Sequence, residues 1–260
     1  MDISDIPVGN YELLLQVTID GCKKVFSLCS QESIQFKDKL FIFESNAQGN
    51  KLEVKPKTLT IKFIKLDVSV TNVNDVDGIK FNIIGTNNVV TIYEGTKFRN
   101  CYMSLVSNMN IVIGKSRYGI TGLKIFGDDS NVTIGQNFSC WGTEIRCHEP
   151  KSEVHIGNDC MFSEEIVMYP TDVHSIYDND TKEVLNLAEP IFVGDHVWCG
   201  RGVCFLKGSY ISNDSVVGMG SVVTKKFNLP NSIIAGFPAK IIKSNINWDR
   251  RNPFQYKASL

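Results

Sequence analysis

The sequence has no run approaching the roughly 18 consecutive apolar residues that a membrane helix needs. It opens Met1-Asp2-Ile3-Ser4-Asp5, with acid where a signal peptide carries Lys or Arg. The expectation is a cytoplasmic chain that does not insert into a membrane. An excess of one charge is also missing, since 27 Lys and Arg stand against 28 Asp and Glu. Nothing global therefore steers the protein to nucleic acid or an anionic surface, and any anion must be met by a local group of cations. The eight cysteines include no CxxC pair and no histidine at zinc-finger spacing, so they read as reduced core residues and no metal is expected. What is present is an ordinary globular composition, 43% hydrophobic and 21% charged over 260 residues, which suits one large domain or two smaller ones.

The chain divides by period. Residues 1–85 alternate apolar and polar in short bursts, at Tyr11 to Ile19, Lys39 to Phe43 and Leu59 to Ile64, with turn residues between them at Asp20-Gly21, Gln48-Gly49-Asn50 and Asp77-Gly78. This pattern predicts a small antiparallel β module. Its role is open: capping an open end, extending an interface or holding a sugar.

From about residue 86 the pattern becomes a repeat. Steps of six from Val193 give Cys199, Phe205, Ile211, Val217 and Val223, all medium or large apolar residues, while the fifth positions Val197, Val203, Ser209, Ser215 and Ser221 are small or apolar and the next is Phe227. A period of six fits neither a helix nor a lone strand. It fits a coil of three flat faces that closes every 18 residues. Upstream, Ile92, Ile113, Ile134 and Ile156 hold the same phase at separations of 21, 21 and 22, a coil with a small outward loop. Coil starts at 92, 113, 134, 156, 193, 211 and 229 would stack about 34 Å high at the spacing of β-strands. The interval from Ile156 to Val193 is 37 residues, a coil plus an extruded loop, placed at about 162–190. The loop holds Tyr169-Pro170-Thr171-Asp172-Val173-His174-Ser175-Ile176-Tyr177-Asp178, too aromatic and apolar for an idle linker.

Three further stretches, Val193-Gly194-Asp195-His196-Val197-Trp198, Val217-Gly218-Met219-Gly220-Ser221-Val222-Val223-Thr224-Lys225 and Ala235-Gly236-Phe237-Pro238-Ala239-Lys240, resemble the hexapeptide-repeat acyltransferases. With the loop motif and the ending Ile246-Asn247-Trp248-Asp249-Arg250, they are most similar to the bacterial O-acetyltransferases of capsular and lipopolysaccharide sugars, polysialic acid among them. The resemblance spans residues 88–243. It implies an all-β fold, a left-handed parallel β-helix over 86–243 after the small N-terminal β domain, then a basic tail at 244–260. It also implies acetyl-CoA as co-substrate, a carbohydrate acceptor, direct transfer in a ternary complex, and a homotrimer with its sites between subunits.

Acyl transfer to a sugar needs a base for the hydroxyl proton, and His174 in the extruded loop is the candidate. Asp172 either orients its imidazole, as a triad carboxylate does, or is a turn residue. The resemblance places Trp198 in the active site, where its indole N–H could stabilise an oxyanion. It puts Arg201, Met219, Thr224, Lys225, Lys240 and Lys243 where relatives meet the cofactor, the lysines acting as point charges on phosphates. Met219 departs from the small residue usual there. His148, His155 and His196 read as structural, and Cys199 as an inward residue rather than an acyl-carrying nucleophile. The competing readings are N-acetylation of an amino-sugar nucleotide, a zinc carbonic anhydrase on the same scaffold, and a non-catalytic glycan-binding β-helix.

Overall fold

The computed structural model describes residues 78–260, apart from 86 and 94, and before residue 78 only the strands Leu13–Ile19, Cys22–Leu28, Ile34–Phe36, Lys39–Phe41, Leu59–Ile64 and Asp75–Val76. The other residues up to 77 lie outside the described part, and so does any capping or sugar-binding role of the N-terminal module. Two antiparallel pairs are described there, Leu13–Ile19 with Cys22–Leu28, and Ile34–Phe36 with Lys39–Phe41.

Each six-residue step is one face of a coil. The chain passes from a first face to a second to a third and returns, as in Glu153–Ile156, Met161–Phe162 and Ile166–Tyr169. Equivalent strands of successive coils pair in parallel, so the first and third faces are eight-stranded sheets. Alternation then aims every second side chain inward, and parallel pairing stacks like on like. On the first face the interior ladder runs Ile92, Ile113, Ile134, Ile156, Val193, Ile211, Phe227. On the second it runs Phe98, Ile120, then Phe162, Cys199, Val217, Ile234, with Cys140 bridging the two parts. On the third it runs Phe81, Met103, Ile125, Ile145, Met168, Phe205, Val223. Burial of each such side chain contributes about 1.5–3 kcal/mol, so these ladders carry the stability of the prism.

Corners are closed by local polar chemistry. Ser209 Oγ donates to the Leu206 carbonyl and Ser221 Oγ to the Gly218 carbonyl, both at 2.6 Å, so small buried serines satisfy turn carbonyls that larger residues would leave unpaired. At the corner between first and second faces, Asn137, Asp159, His196, Asp214 and Asn231 all take left-handed backbone with φ near 55°, a conformation in which Asn and Asp are enriched.

Three expected boundaries move. Ile79–Ile83 pairs in parallel with Cys101–Leu105, and Leu59–Ile64 with Asn88–Tyr93, so the stack begins upstream of residue 86. The last first-face step lands on Phe227 rather than 229, because only Thr224 and Lys225 separate the strands Val222–Val223 and Lys226–Phe227. Phe227 is 4% exposed and Leu229 49%. The extruded loop starts after Tyr169 rather than at 162, since Met161–Phe162 and Ile166–Tyr169 belong to the coil. Beyond the last coil, Ala239–Ser244 turns back antiparallel on Ser232–Gly236 and ends the second face. The tail then runs to the short helix Pro253–Lys257.

Candidate active site

Loop 170–190 leaves the corner between the third and first faces. It folds into a small hairpin, with Tyr177 bridged to Val184 and the Leu185 amide donating to the Ile176 carbonyl at 2.8 Å. The base is stapled by Asn186, which is 7% exposed. Its Oδ1 accepts from the Ile176 amide at 2.7 Å, and its Nδ2 donates to Asp172 Oδ2 at 3.0 Å and to the His174 carbonyl at 2.8 Å. Lys207, one coil on at the same corner, reaches Asp172 Oδ2 at 2.6 Å. The Lys207 and Asn186 hydrogen bonds hold the Asp172 carboxyl below the usual carboxylate range.

The Asp172 carboxylate is therefore spent on Lys207 and Asn186, and the orienting contact with His174 considered above is not formed. Asp172 instead meets His174 through the backbone, its carbonyl accepting the His174 amide at 2.7 Å. The exposed His174 imidazole makes no hydrogen bond to any described residue. Sequence reasoning missed Asn186 and Lys207. The signal for Asn186 was a lone amide in the apolar run Val184-Leu185-Asn186-Leu187.

Trp198 stands outward on the second face, 39% exposed, and its indole N–H has no hydrogen-bond partner among the described residues. An open groove of about 810 Å³ runs along this face, bordered by Trp198, Trp141, Tyr118 and Arg250. The tail crosses it. Trp248 stacks on His196 with centroids 4.3 Å apart and donates Nε1–H to the His196 carbonyl at 2.8 Å. Arg250 donates to Ser139 Oγ at 2.7 Å and to the carbonyls of Asn137, Asp159 and Cys160 at 3.0–3.2 Å. His196, fixed also by Asp214 at 2.9 Å, is thus a docking point for the tail. Of the three cations in the tail at 244–260, Arg250 is held in this way and Arg251 pairs with Asp249.

The six expected cofactor residues are all exposed but do not form one cluster in the chain. Arg201 and Met219 are stacked at the corner between second and third faces, where the Gly220 amide donates to the Arg201 carbonyl at 2.8 Å. Arg201 is paired with Glu165 and lies near Glu164. Thr224 and Lys225 follow the strand Val222–Val223 at the loop's corner, and Lys240 and Lys243 lie on the terminal strand opposite Ala235 and Ile233.

Cys199 is fully buried in the second-face ladder, and burial raises its thiol well above the ordinary value. Burial also pushes Cys140, Cys147 and Cys160 up to about 12, so at neutral pH these sulfurs stay protonated and inert. Among the described residues no group of three His, Cys, Asp or Glu side chains is placed to hold a metal ion, and no helix is long and apolar enough to cross a membrane.

A polysialic acid O-acetyltransferase of Neisseria meningitidis is 32% identical over 187 residues, 72% of this chain and 86% of that protein. One from Escherichia coli O1:K1 is 35% identical over 133 residues, which span 49% of this chain and 42% of the relative. The crystal structure of the polySia specific acetyltransferase NeuO superposes with a TM-score of 0.65 at 28% identity, covering 83% of this chain and 96% of that one. No protein-family model matches the sequence. The chain belongs to the hexapeptide-repeat acetyltransferases. Its solenoid is their left-handed β-helix, as the sequence resemblance implied.

Proposed function

We propose that this chain is an acetyl-CoA-dependent O-acetyltransferase acting on a hydroxyl of a bacterial surface-polysaccharide sugar, with His174 as general base and direct transfer in a ternary complex. The observation that carries the reading is the loop itself, a stapled platform that presents His174 to solvent with both ring nitrogens uncommitted. The neutral imidazole takes the acceptor's hydroxyl proton as the oxygen attacks the thioester carbonyl carbon. The oxyanion of the tetrahedral intermediate accepts a hydrogen bond from the unpartnered Trp198 indole. Collapse breaks the carbon–sulfur bond, and the leaving thiolate recovers the proton from the imidazolium, leaving an acetyl ester and free thiol. Asp172 serves as a positioning residue through the loop backbone.

Two observations support sites between subunits of a homotrimer. Trp198 lies on the second face, while the loop leaves the corner between the other two, so a neighbouring copy is the natural source of the histidine for each tryptophan. The loop also exposes Ile176, Tyr177, Leu185 and Leu187, each at least 55%, an apolar surface suited to burial against another copy. In such an assembly Arg201, the Met219 backbone, Thr224, Lys225, Lys240 and Lys243 border the path of acetyl-CoA, with the lysines facing its phosphates. Use of acetyl-CoA as the donor supports a cytoplasmic reaction.

The test is free-thiol release from acetyl-CoA with a panel of capsular oligosaccharides and amino-sugar nucleotides, in wild type and His174→Ala. Release that needs both a neutral hydroxyl acceptor and His174 supports the reading, and full activity in the variant overturns the assignment of the base. Transfer confined to amino sugars would make the enzyme an N-acetyltransferase. Absence of both transfer and acetyl-CoA binding would leave a glycan-binding solenoid.

A further inference from the structure

We infer that the C-terminal tail belongs to the catalytic apparatus, with Trp248 positioning the Trp198 indole and Arg250 holding Trp248 in place, an inference that rests on the oxyanion role proposed above for Trp198. An oxyanion donor is effective when its hydrogen is already aimed as the charge develops. Little in its own coil aims Trp198. It stands outward on the two-residue strand Trp198–Cys199, its column neighbours are Met161 and Val216, and no described residue accepts its indole N–H. An exposed ring without a polar partner changes rotamer in picoseconds to nanoseconds. What borders the ring from the side is Trp248, 50 residues on, with centroids 6.1 Å apart and planes at 44°. Trp248 in turn lies flat on His196, at 4.3 Å and 12°, and is tied to the His196 carbonyl by its N–H. Order is thus passed from the coil through His196 and Trp248 to Trp198.

The tail is built to hold that wedge. At the corner between the first and second faces, the left-handed residues Asn137, Asp159, His196, Asp214 and Asn231 each donate their amide to a carbonyl of the preceding coil at 2.7–3.1 Å. Four of them give their own carbonyls to the tail. Asn231 accepts from the Ile246 amide at 3.0 Å, His196 from Trp248 at 2.8 Å, and Asp159 and Asn137 from Arg250 at 3.2 and 3.1 Å. At one end Asn231 Nδ2 also returns a bond to the Ile246 carbonyl at 3.0 Å. At the other, Arg250 adds the Cys160 carbonyl at 3.0 Å and Ser139 Oγ at 2.7 Å, with its guanidinium 3.9 Å from the centre of the Tyr118 ring. A planar fork of donors suits several acceptors in fixed directions, which a lysine ammonium does not. Trp248 therefore sits midway between two multidentate anchors. Those anchors dock the tail by themselves, and the indole at 248 adds the contact with Trp198 at the border of the groove.

The experiment uses the full chain, in which Trp141, Trp198 and Trp248 are the three tryptophans. Labelled with fluorotryptophan, it gives three fluorine NMR resonances, assigned with Trp141→Phe and Trp198→Phe. Trp248→Leu and Arg250→Ala should each shift and narrow the Trp198 resonance. Each should also lower kcat for thiol release by about tenfold or more, on the scale of a misplaced donor, while KM for acetyl-CoA holds. Arg250→Lys should behave like Arg250→Ala, and Trp248→Phe, which keeps a ring on His196, should recover part of both signals. A double-mutant cycle separates positioning from general damage. In a Trp198→Phe background, Trp248→Leu should cost no further kcat, because the group it positions is gone. If leucine at 248 prevents folding, Trp248→Phe carries the same cycle with a smaller effect. Wild-type kcat in Trp248→Leu, an equal loss with and without Trp198, or an unmoved Trp198 resonance in both tail variants would overturn the proposal. The two readings fail separately. Activity lost in Trp198→Phe and kept in Trp248→Leu would remove the tail and keep the oxyanion role. Full activity in Trp198→Phe would remove the oxyanion role and the catalytic use of the tail with it, whereas a shifted resonance would still show Trp248 holding the ring.

Discussion

The coils and the loop 170–190 are built from similar residues and use them in opposite ways. Inside the coils, Phe162, Phe205, Ile211 and their neighbours are at most 4% exposed, each stacked on the matching residue above and below. In the loop, Ile176, Tyr177, Val184, Leu185 and Leu187 are about half or more exposed, and order comes from a few polar staples at Asn186 and Lys207. The coil buries its apolar residues within one chain, whereas the loop leaves its own exposed. Stability and chemistry are therefore separable here, and substitutions in the two regions should fail in different ways.

The sharpest separation is His174→Ala. Loss of a general base should lower kcat by about 10²–10⁴-fold, with Tm unchanged because the exposed imidazole holds nothing in place. Thiol release and thermal melting, run on one preparation, check both halves. The converse is Phe205→Ala in the third-face ladder, which should cost about 3–5 kcal/mol of unfolding free energy, read from denaturant titration, while folded protein at low temperature keeps most of its turnover. A variant that lost activity with no loss of stability would break the division.

Asn186→Ala lies between them. It removes three part-buried hydrogen bonds at the loop base, to the Ile176 amide, the His174 carbonyl and the Asp172 carboxylate, each worth about 0.5–1.5 kcal/mol locally because solvent can replace the lost partner. The expected result is a kcat fall of about tenfold or more, faster hydrogen exchange confined to 170–190, and little change in global Tm. The smallest effect concerns pH. Because the folded-state pKa of Asp172 is depressed, its pairing with Lys207 is present above the ordinary Asp value of about 3.9 and is lost as pH falls through the lower folded value. Loop protection against hydrogen exchange should therefore decline at acid pH in wild type. An Asp172→Asn variant should lack that acid step, and a step of the same size in that variant would remove Asp172 as its cause.

Much of the fold was legible because a stacked coil writes its period directly into the chain. Ile92, Ile113, Ile134, Ile156, Val193 and Ile211 were placed in phase by counting and are one ladder in the structure. The count failed at 229, where a short turn shifts the phase by two, and Phe227 among the small fifth positions had already marked the place. It also failed upstream of 86, where a single parallel strand at Leu59–Ile64 has too few neighbours to show a period. In the site, His174 and Trp198 stood out as rare residues in motifs. The Asp172 contacts did not, because Asn186 and Lys207 lie 14 and 35 residues away in sequence and meet Asp172 only across the loop and the next coil.

What sequence by itself determined is the repeat, the inward phase of each ladder, the extruded loop and the identity of its histidine, all of which follow from spacing along the chain. Tertiary structure alone decided which polar groups meet. It gave Asp172 to Lys207, His196 to Trp248, and Arg250 to carbonyls from three different residues. The physical reason is that apolar burial is nondirectional and rewards a pattern, whereas hydrogen bonds and ion pairs depend on distances of a few ångströms that only the closed coils establish.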